Sequence, residues 1–121
     1  MSKVLLVDDD ADIAEVVEII LTTHGFKVVK IFDGSQVFDT LTNFQPDVIL
    51  LDVNIGEVDG REVCKKLKAT HSPHNHIPVL LFSAMHDLSN TYPECKATDF
   101  ISKPFDSLEL LNKLKKYAIR N

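Results

Sequence analysis

The stretch Pro46-Asp47-Val48-Ile49-Leu50-Leu51-Asp52-Val53-Asn54-Ile55-Gly56-Glu57-Val58-Asp59-Gly60 decides how the rest of the chain is read. Val48 to Leu51 are consecutive aliphatic residues introduced by Pro46-Asp47 and closed by a carboxylate, the pattern of a strand buried on both faces. Asp52 is the first residue to leave that core. In an open parallel sheet the carboxyl ends of the strands face the ligand crevice, so Asp52 would meet ions and substrates there. Asp also favours the first position of a turn, and Asp52 alone leaves both readings open.

The other apolar runs supply the context. Val4 to Val7 ends in Asp8-Asp9-Asp10; Val79 to Phe82 ends in Ser83-Ala84; Phe100-Ile101 ends in Ser102-Lys103-Pro104-Phe105. A fourth run, Lys27 to Ile31, is rich in β-branched residues and leads only into a turn at Asp33-Gly34-Ser35. Between the runs lie helical patterns. Ile13, Val16, Val17, Ile20 and Leu21 form one apolar stripe, with Asp10 or Asp12 as its cap and Gly25 as its stop. Val37, Phe38, Leu41 and Phe44 form a second stripe, Val63, Cys64 and Leu67 a third between about Arg61 and Ala69, and Leu108, Leu111, Leu114 and Ala118 the last. Lys113, Lys115 and Lys116 are expected to form a solvated face of that last helix.

Strands that alternate with helices predict an α/β fold with a doubly wound parallel sheet. In such a sheet the ends of four strands bring Asp8, Asp9, Asp52, Ser83 and Lys103 together at the switch point. Clustered carboxylates are costly unless a cation neutralises them, and hard oxygen ligands suit Mg²⁺. A carboxylate nucleophile, a divalent ion, an ammonium and a hydroxyl form the equipment of phosphoryl transfer.

Composition narrows the function classes. The chain has 121 residues, 45% hydrophobic and 26% charged, which is sufficient for one domain over 1–121 with a real core. Its formal net charge of -5 argues against a nucleic-acid partner for this chain, since the phosphate backbone is met by clustered Lys and Arg. No apolar run is long enough for a membrane span and no leader pattern opens the chain, so a cytoplasmic location without a membrane partner is expected. Cys64 and Cys95 lack metal or redox spacing and are expected to be buried thiols. His71, His74 and His76 crowd one loop but lack ligand spacing, and a solvated loop is the expectation there.

The four motifs Val7-Asp8-Asp9, Leu50-Leu51-Asp52 closing on Asp59-Gly60, Ser83-Ala84 and Lys103-Pro104-Phe105 resemble, in order and placement, the receiver domains of bacterial response regulators over nearly the whole chain. The resemblance implies a flavodoxin-like five-stranded sheet of order 2-1-3-4-5 with five helices. It also implies Mg²⁺-dependent phosphorylation of Asp52 by a histidine kinase or phosphotransfer protein, and a switched surface for an unknown downstream protein or a phosphorylation-dependent dimer. Carried over by residue, Asp8, Asp9, Asp52 and the backbone carbonyl of Asn54 hold the metal. Ser83, the Ala84 amide and Lys103 hold the phosphoryl group, Ser83 and Phe100 act as switch residues, and the bond to Pro104 is cis.

The sequence departs from the family pattern in several places. The interval 84–99 is short, poor in helical periodicity and contains Pro93, which predicts a short or distorted fourth helix. Lys96 stands where relatives commonly have Gly. Gly56 stands where they have Pro, which predicts a looser loop after Asp52. Two alternatives follow: a pseudo-receiver that binds partners without being phosphorylated, and a haloacid-dehalogenase-like phosphohydrolase with Asp8 as nucleophile, suggested by the spacing of Asp8 and Asp10.

Overall fold

In the computed structural model, residues 2–84 and 95–118 are described. The strands are β1 (Lys3–Val7), β2 (Lys27–Ile31), β3 (Val48–Asp52), β4 (Asn54–Ile55), β5 (Val58–Asp59), β6 (Val79–Ser83) and β7 (Asp99–Ser102). The described helices are α1 (Ala11–Thr23), α2 (Val37–Asn43, entered through a 3-10 turn at Gly34–Gln36), α3 (Gly60–Leu67) and α4 (Ser107–Tyr117). The expected distorted fourth helix with Pro93 falls largely on 85–94, outside the described residues, so α4 is the fifth helix of the sequence reading.

Five strands form one parallel sheet in the order β2-β1-β3-β6-β7. With the small β4-β5 hairpin set aside, this is the expected 2-1-3-4-5 order. Alternation along the strands divides the core into two layers. Leu5, Val7, Ile49, Leu51, Val79 and Leu81 point to one face and pack with Val37, Leu41, Val63, Cys64 and Leu67 of α2 and α3. Val4, Leu6, Val48, Leu50, Leu80, Phe82 and Ile101 point to the other and pack with Ala14, Val17, Leu21, Leu110, Leu111 and Leu114 of α1 and α4. A central strand such as β3 is therefore buried on both sides, which is why it reads as an unbroken aliphatic run.

Three inward assignments are corrected by the fold. Val16 is 50% exposed, Phe38 37% and Leu108 64%, because each lies at the solvent margin of its helical stripe. Leu110, fully buried, takes the core position in α4. Asp10 is the cap of α1: its side chain accepts from the Asp12 and Ile13 amides at 3.0 and 3.2 Å. Cys64 and Cys95 are free and buried, with the Cys64 thiol donating to the Cys95 carbonyl at 3.4 Å. Lys96 has a φ of 64°, a left-handed backbone that glycine, which the resemblance implies at this place, adopts without strain.

The segment after Asp52, expected as a turn, contains a short pair of strands. Asn54–Ile55 and Val58–Asp59 pair as an antiparallel hairpin, with Gly56 at a φ of 61° in its turn. Its base is pinned where the Gly60 amide donates to the Val53 carbonyl at 2.6 Å. A Cβ on Gly60 would overlap the backbone carbonyl of Asp52. Gly60→Ala is therefore expected to cost about 2 kcal/mol or more, as overpacking against backbone does. Urea denaturation followed by far-UV circular dichroism checks this; an unchanged midpoint would refute the close approach.

Candidate functional site

The sheet register builds the site. Val7 pairs with Leu51, so the next residues, Asp8 and Asp52, emerge side by side from β1 and β3. Ser83 pairs with Ser102, which brings the following Lys103 to the end of β6, where its amide donates to the Ser83 carbonyl at 2.9 Å. Asp8, Asp52 and Ser83 are the buried polar residues in a chain interior otherwise apolar among the described residues. The Lys103–Pro104 peptide is cis, as the resemblance implies.

Lys103 bridges the two buried acids, its Nζ standing 2.9 Å from Asp8 Oδ2 and 3.0 Å from Asp52 Oδ2. The same ammonium lies 4.6 Å from the centroid of the Phe82 ring, an added cation–π contact beneath the ion pairs. The remaining oxygens are held by backbone: Asp8 Oδ1 accepts from the Asp10 amide at 2.9 Å and Asp52 Oδ1 from the Asn54 amide at 3.1 Å. Burial, followed by the bond shared with Asp8, pushes the Asp52 carboxyl up to about 6 against the lowering pull of Lys103. Burial disfavours the charge on Lys103, but its bonds to both aspartates outweigh that and raise the ammonium above its ordinary value.

Asp8, Asp9 and Asp52 each offer an oxygen, and these atoms lie within 4.8 Å of one another. A hard divalent cation fits such a donor set, which is all oxygen and anionic. Asp9 is exposed while Asp8 and Asp52 are buried, so the trio opens to solvent on one side. Asn54 is exposed beside it in β4, and Ala84 is exposed just beyond Ser83. The histidine loop does not converge: among the described residues the acidic trio is the group of potential ligands close enough to share an ion. That loop is closed instead by Lys68, whose Nζ donates to the Asn75 and Ile77 carbonyls at 2.8 and 2.9 Å.

Phe100 lies on β7, partly buried against the layer that contains α3. Lys113 of α4 donates to the Phe100 carbonyl at 2.6 Å and lies 4.8 Å from its ring centroid. Asp99 holds the same ammonium at 3.3 Å and accepts from the Tyr117 hydroxyl at 2.9 Å. Sequence reasoning missed this network and also the role of Phe82. The only available signal was Asp99 followed by Lys113 and Tyr117 at helical spacing, and such charges usually belong to a solvated face.

A doubly wound sheet with an acidic trio and a lysine at its carboxyl edge has the equipment of a phosphoacceptor pocket. Residues 4–115 match the family described as the response regulator receiver domain, and the chain belongs to that family. It is 33% identical over 121 residues to the DNA-binding response regulator MtrA of Mycobacterium leprae, covering 98% of this chain and 52% of that protein. The chain thus spans about half the length of the curated relatives it matches. Among solved structures, the receiver domain of a signal transduction histidine kinase from Syntrophus aciditrophicus superposes with a TM-score of 0.88 at 30% identity, covering 98% of this chain and 90% of that one. The chemotaxis response regulator CheY4 of Vibrio cholerae superposes with a TM-score of 0.86 at 28% identity, covering 97% and 98%. In this chain, the acidic pocket of Asp8, Asp9 and Asp52 fits a phosphoacceptor site. The hydrolase and pseudo-receiver alternatives gain no support from the family match or the relatives.

Proposed function

We propose that the chain, 1–121, works as one phosphoacceptor receiver domain in which Asp52 takes a phosphoryl group from the phosphohistidine of a histidine kinase or phosphotransfer protein. The observation that carries this reading is the convergence of Asp8, Asp9, Asp52 and Lys103 at one sheet edge, with Asp52 at the mouth of a buried ion-pair network. The ionised Asp52 attacks phosphorus; an O–P bond forms, the P–N bond breaks, and the electron pair stays with the departing imidazole. A Mg²⁺ ion held by Asp8, Asp9, Asp52 and the Asn54 backbone carbonyl would supply positive charge to the phosphoryl oxygens. Lys103, already between the two acids, offsets the charge added at Asp52, and the Ser83 hydroxyl and Ala84 amide are within the same strand end to receive phosphoryl oxygens.

A phosphoryl group brings about two negative charges where one stood, by the behaviour of other phosphorylated side chains. Movement of Ser83 toward it, followed by Phe100, would bias the β7–α4 surface toward a downstream protein or a second copy of the chain. The same pocket assists its own phosphorylation and dephosphorylation in this reading, without making the chain an enzyme in the usual sense. The test is intact mass after incubation with acetyl phosphate, with and without Mg²⁺, for the native chain and Asp52→Ala. A Mg²⁺-dependent, hydroxylamine-labile gain of one phosphoryl group that Asp52→Ala abolishes is expected. No adduct on a folded chain that also fails to bind beryllofluoride would favour the pseudo-receiver, and an adduct that needs Asp8 instead would favour the hydrolase.

A further inference from the structure

The hairpin after Asp52 does more than turn the chain. Its first strand donates the Asn54 amide to Asp52 Oδ1 at 3.1 Å, and its turn donates the Gly56 amide to Asp9 Oδ2 at 2.9 Å, across 47 positions of sequence. Two of the three acids of the site thus take a backbone hydrogen bond from one small hairpin. The bond from Gly56 engages Oδ2 of Asp9, and Asp9 is the exposed member of the trio. Without the tether, an exposed aspartate would sample several rotamers, and ordering it on binding a cation would cost affinity.

The hairpin can act as a fixed support because it is itself held. Ile55 is buried, Gly60 is packed on the Asp52 backbone, and Val58 lies so close to Gly34 that a Cβ there would come within 2.9 Å of its side chain. Gly56 alone stands in open space, with nothing within 4 Å of an added Cβ, so glycine is required there by its positive φ and not by crowding. Proline at this place would have neither the amide hydrogen nor access to that φ.

Resting on the reading that the acidic trio takes Mg²⁺, we infer that the Gly56 backbone N–H is a positioning group of the cation site, fixing Asp9 through Oδ2 and leaving its other oxygen for the ion. The glycine substitution thereby tightens the site where its conformational freedom would be expected to loosen it. The chemistry recognised is a hard, oxygen-liganded divalent cation; the residue-level assignment is a backbone donor that no side-chain motif reveals.

Mg²⁺ alone, titrated into the ¹⁵N-labelled chain and followed by amide chemical shifts, provides the readout. Gly56→Pro, which removes the donor, is expected to raise the Mg²⁺ Kd about tenfold, the scale of one hydrogen bond to a charged group. Gly56→Asn, which keeps the N–H and tolerates positive φ, is expected to stay within about twofold. Hydrogen exchange at the Gly56 amide gives a second measurement that needs no proline: it should be slow in the native chain and fast in Asp9→Ala. Equal Kd in a folded Gly56→Pro, a Gly56→Asn loss as large as that of proline, or fast exchange at Gly56 in the native chain would each overturn the inference. Failure of the native chain itself to bind Mg²⁺ would overturn the proposed function and this inference with it, whereas native binding with an unaffected Gly56→Pro would overturn this inference alone.

Discussion

Lys103→Ala is expected to destabilise the metal-free chain by about 3 kcal/mol at neutral pH, the largest single loss among the site residues. Its ammonium is 15% exposed and bridges Asp8 and Asp52, whose side chains are 0% and 6% exposed. Removing it leaves two carboxylates facing each other in a dry pocket, and breaking a buried pair from one side typically costs about 3–5 kcal/mol. The lower end applies because Asp52 can take up a proton, its carboxyl being displaced to about 6 already with the lysine present. Chemical denaturation in EDTA measures this, and a loss under about 1 kcal/mol would mean that water reaches both acids once the lysine is gone. Added Mg²⁺ should restore part of the loss, since a cation on the acids substitutes for the missing charge.

Asp52→Asn is expected to have the opposite sign. The folded Asp52 holds its proton more tightly than an unfolded aspartate, so its contribution to stability is fully present below about pH 4 and is lost as pH rises through about 6. Two pH units of displacement correspond to about 3 kcal/mol. The metal-free Asn variant should therefore match the native chain near pH 4 and exceed it by about 2–3 kcal/mol at pH 7.5. Comparing the two chains at each pH cancels the other carboxylates, and a difference that stays flat from pH 4 to 7.5 would show that Asp52 is ionised throughout. This stability cost at neutral pH is the physical counterpart of a poised nucleophile: burial that makes the carboxylate reactive also makes it expensive to keep charged.

Local pattern alone was sufficient for the fold class. The aliphatic run Val48–Leu51 is continuous because β3 is covered on both faces, and a strand so covered must lie centrally in a parallel sheet. Once strands and helices alternate, the handedness of the crossovers leaves few topologies, and strand-end chemistry becomes readable as a site. That is why Asp8, Asp9, Asp52, Ser83 and Lys103 could be named from one chain. The family match over 4–115 agrees with the receiver-domain resemblance.

The misreadings share a cause. Helical periodicity places a residue on a stripe, but whether the stripe's margin is covered depends on what packs beside it, which put Val16, Phe38 and Leu108 in solvent. Gly56 read as freedom because a glycine's entropy is a property of the residue, whereas the amide it contributes to Asp9 depends on a partner 47 positions away. The Lys113 contacts to Asp99 and to the Phe100 carbonyl were hidden for the same reason. By itself the sequence determined the fold class, because it follows from periodicity; the chemistry at strand ends named the residues to look for, and the strand order came from the resemblance to the family. Only the tertiary structure decided how each carboxylate is held, by Lys103 across the sheet and by hairpin amides from a distant segment, because hydrogen bonds between remote residues leave no periodic trace in the chain.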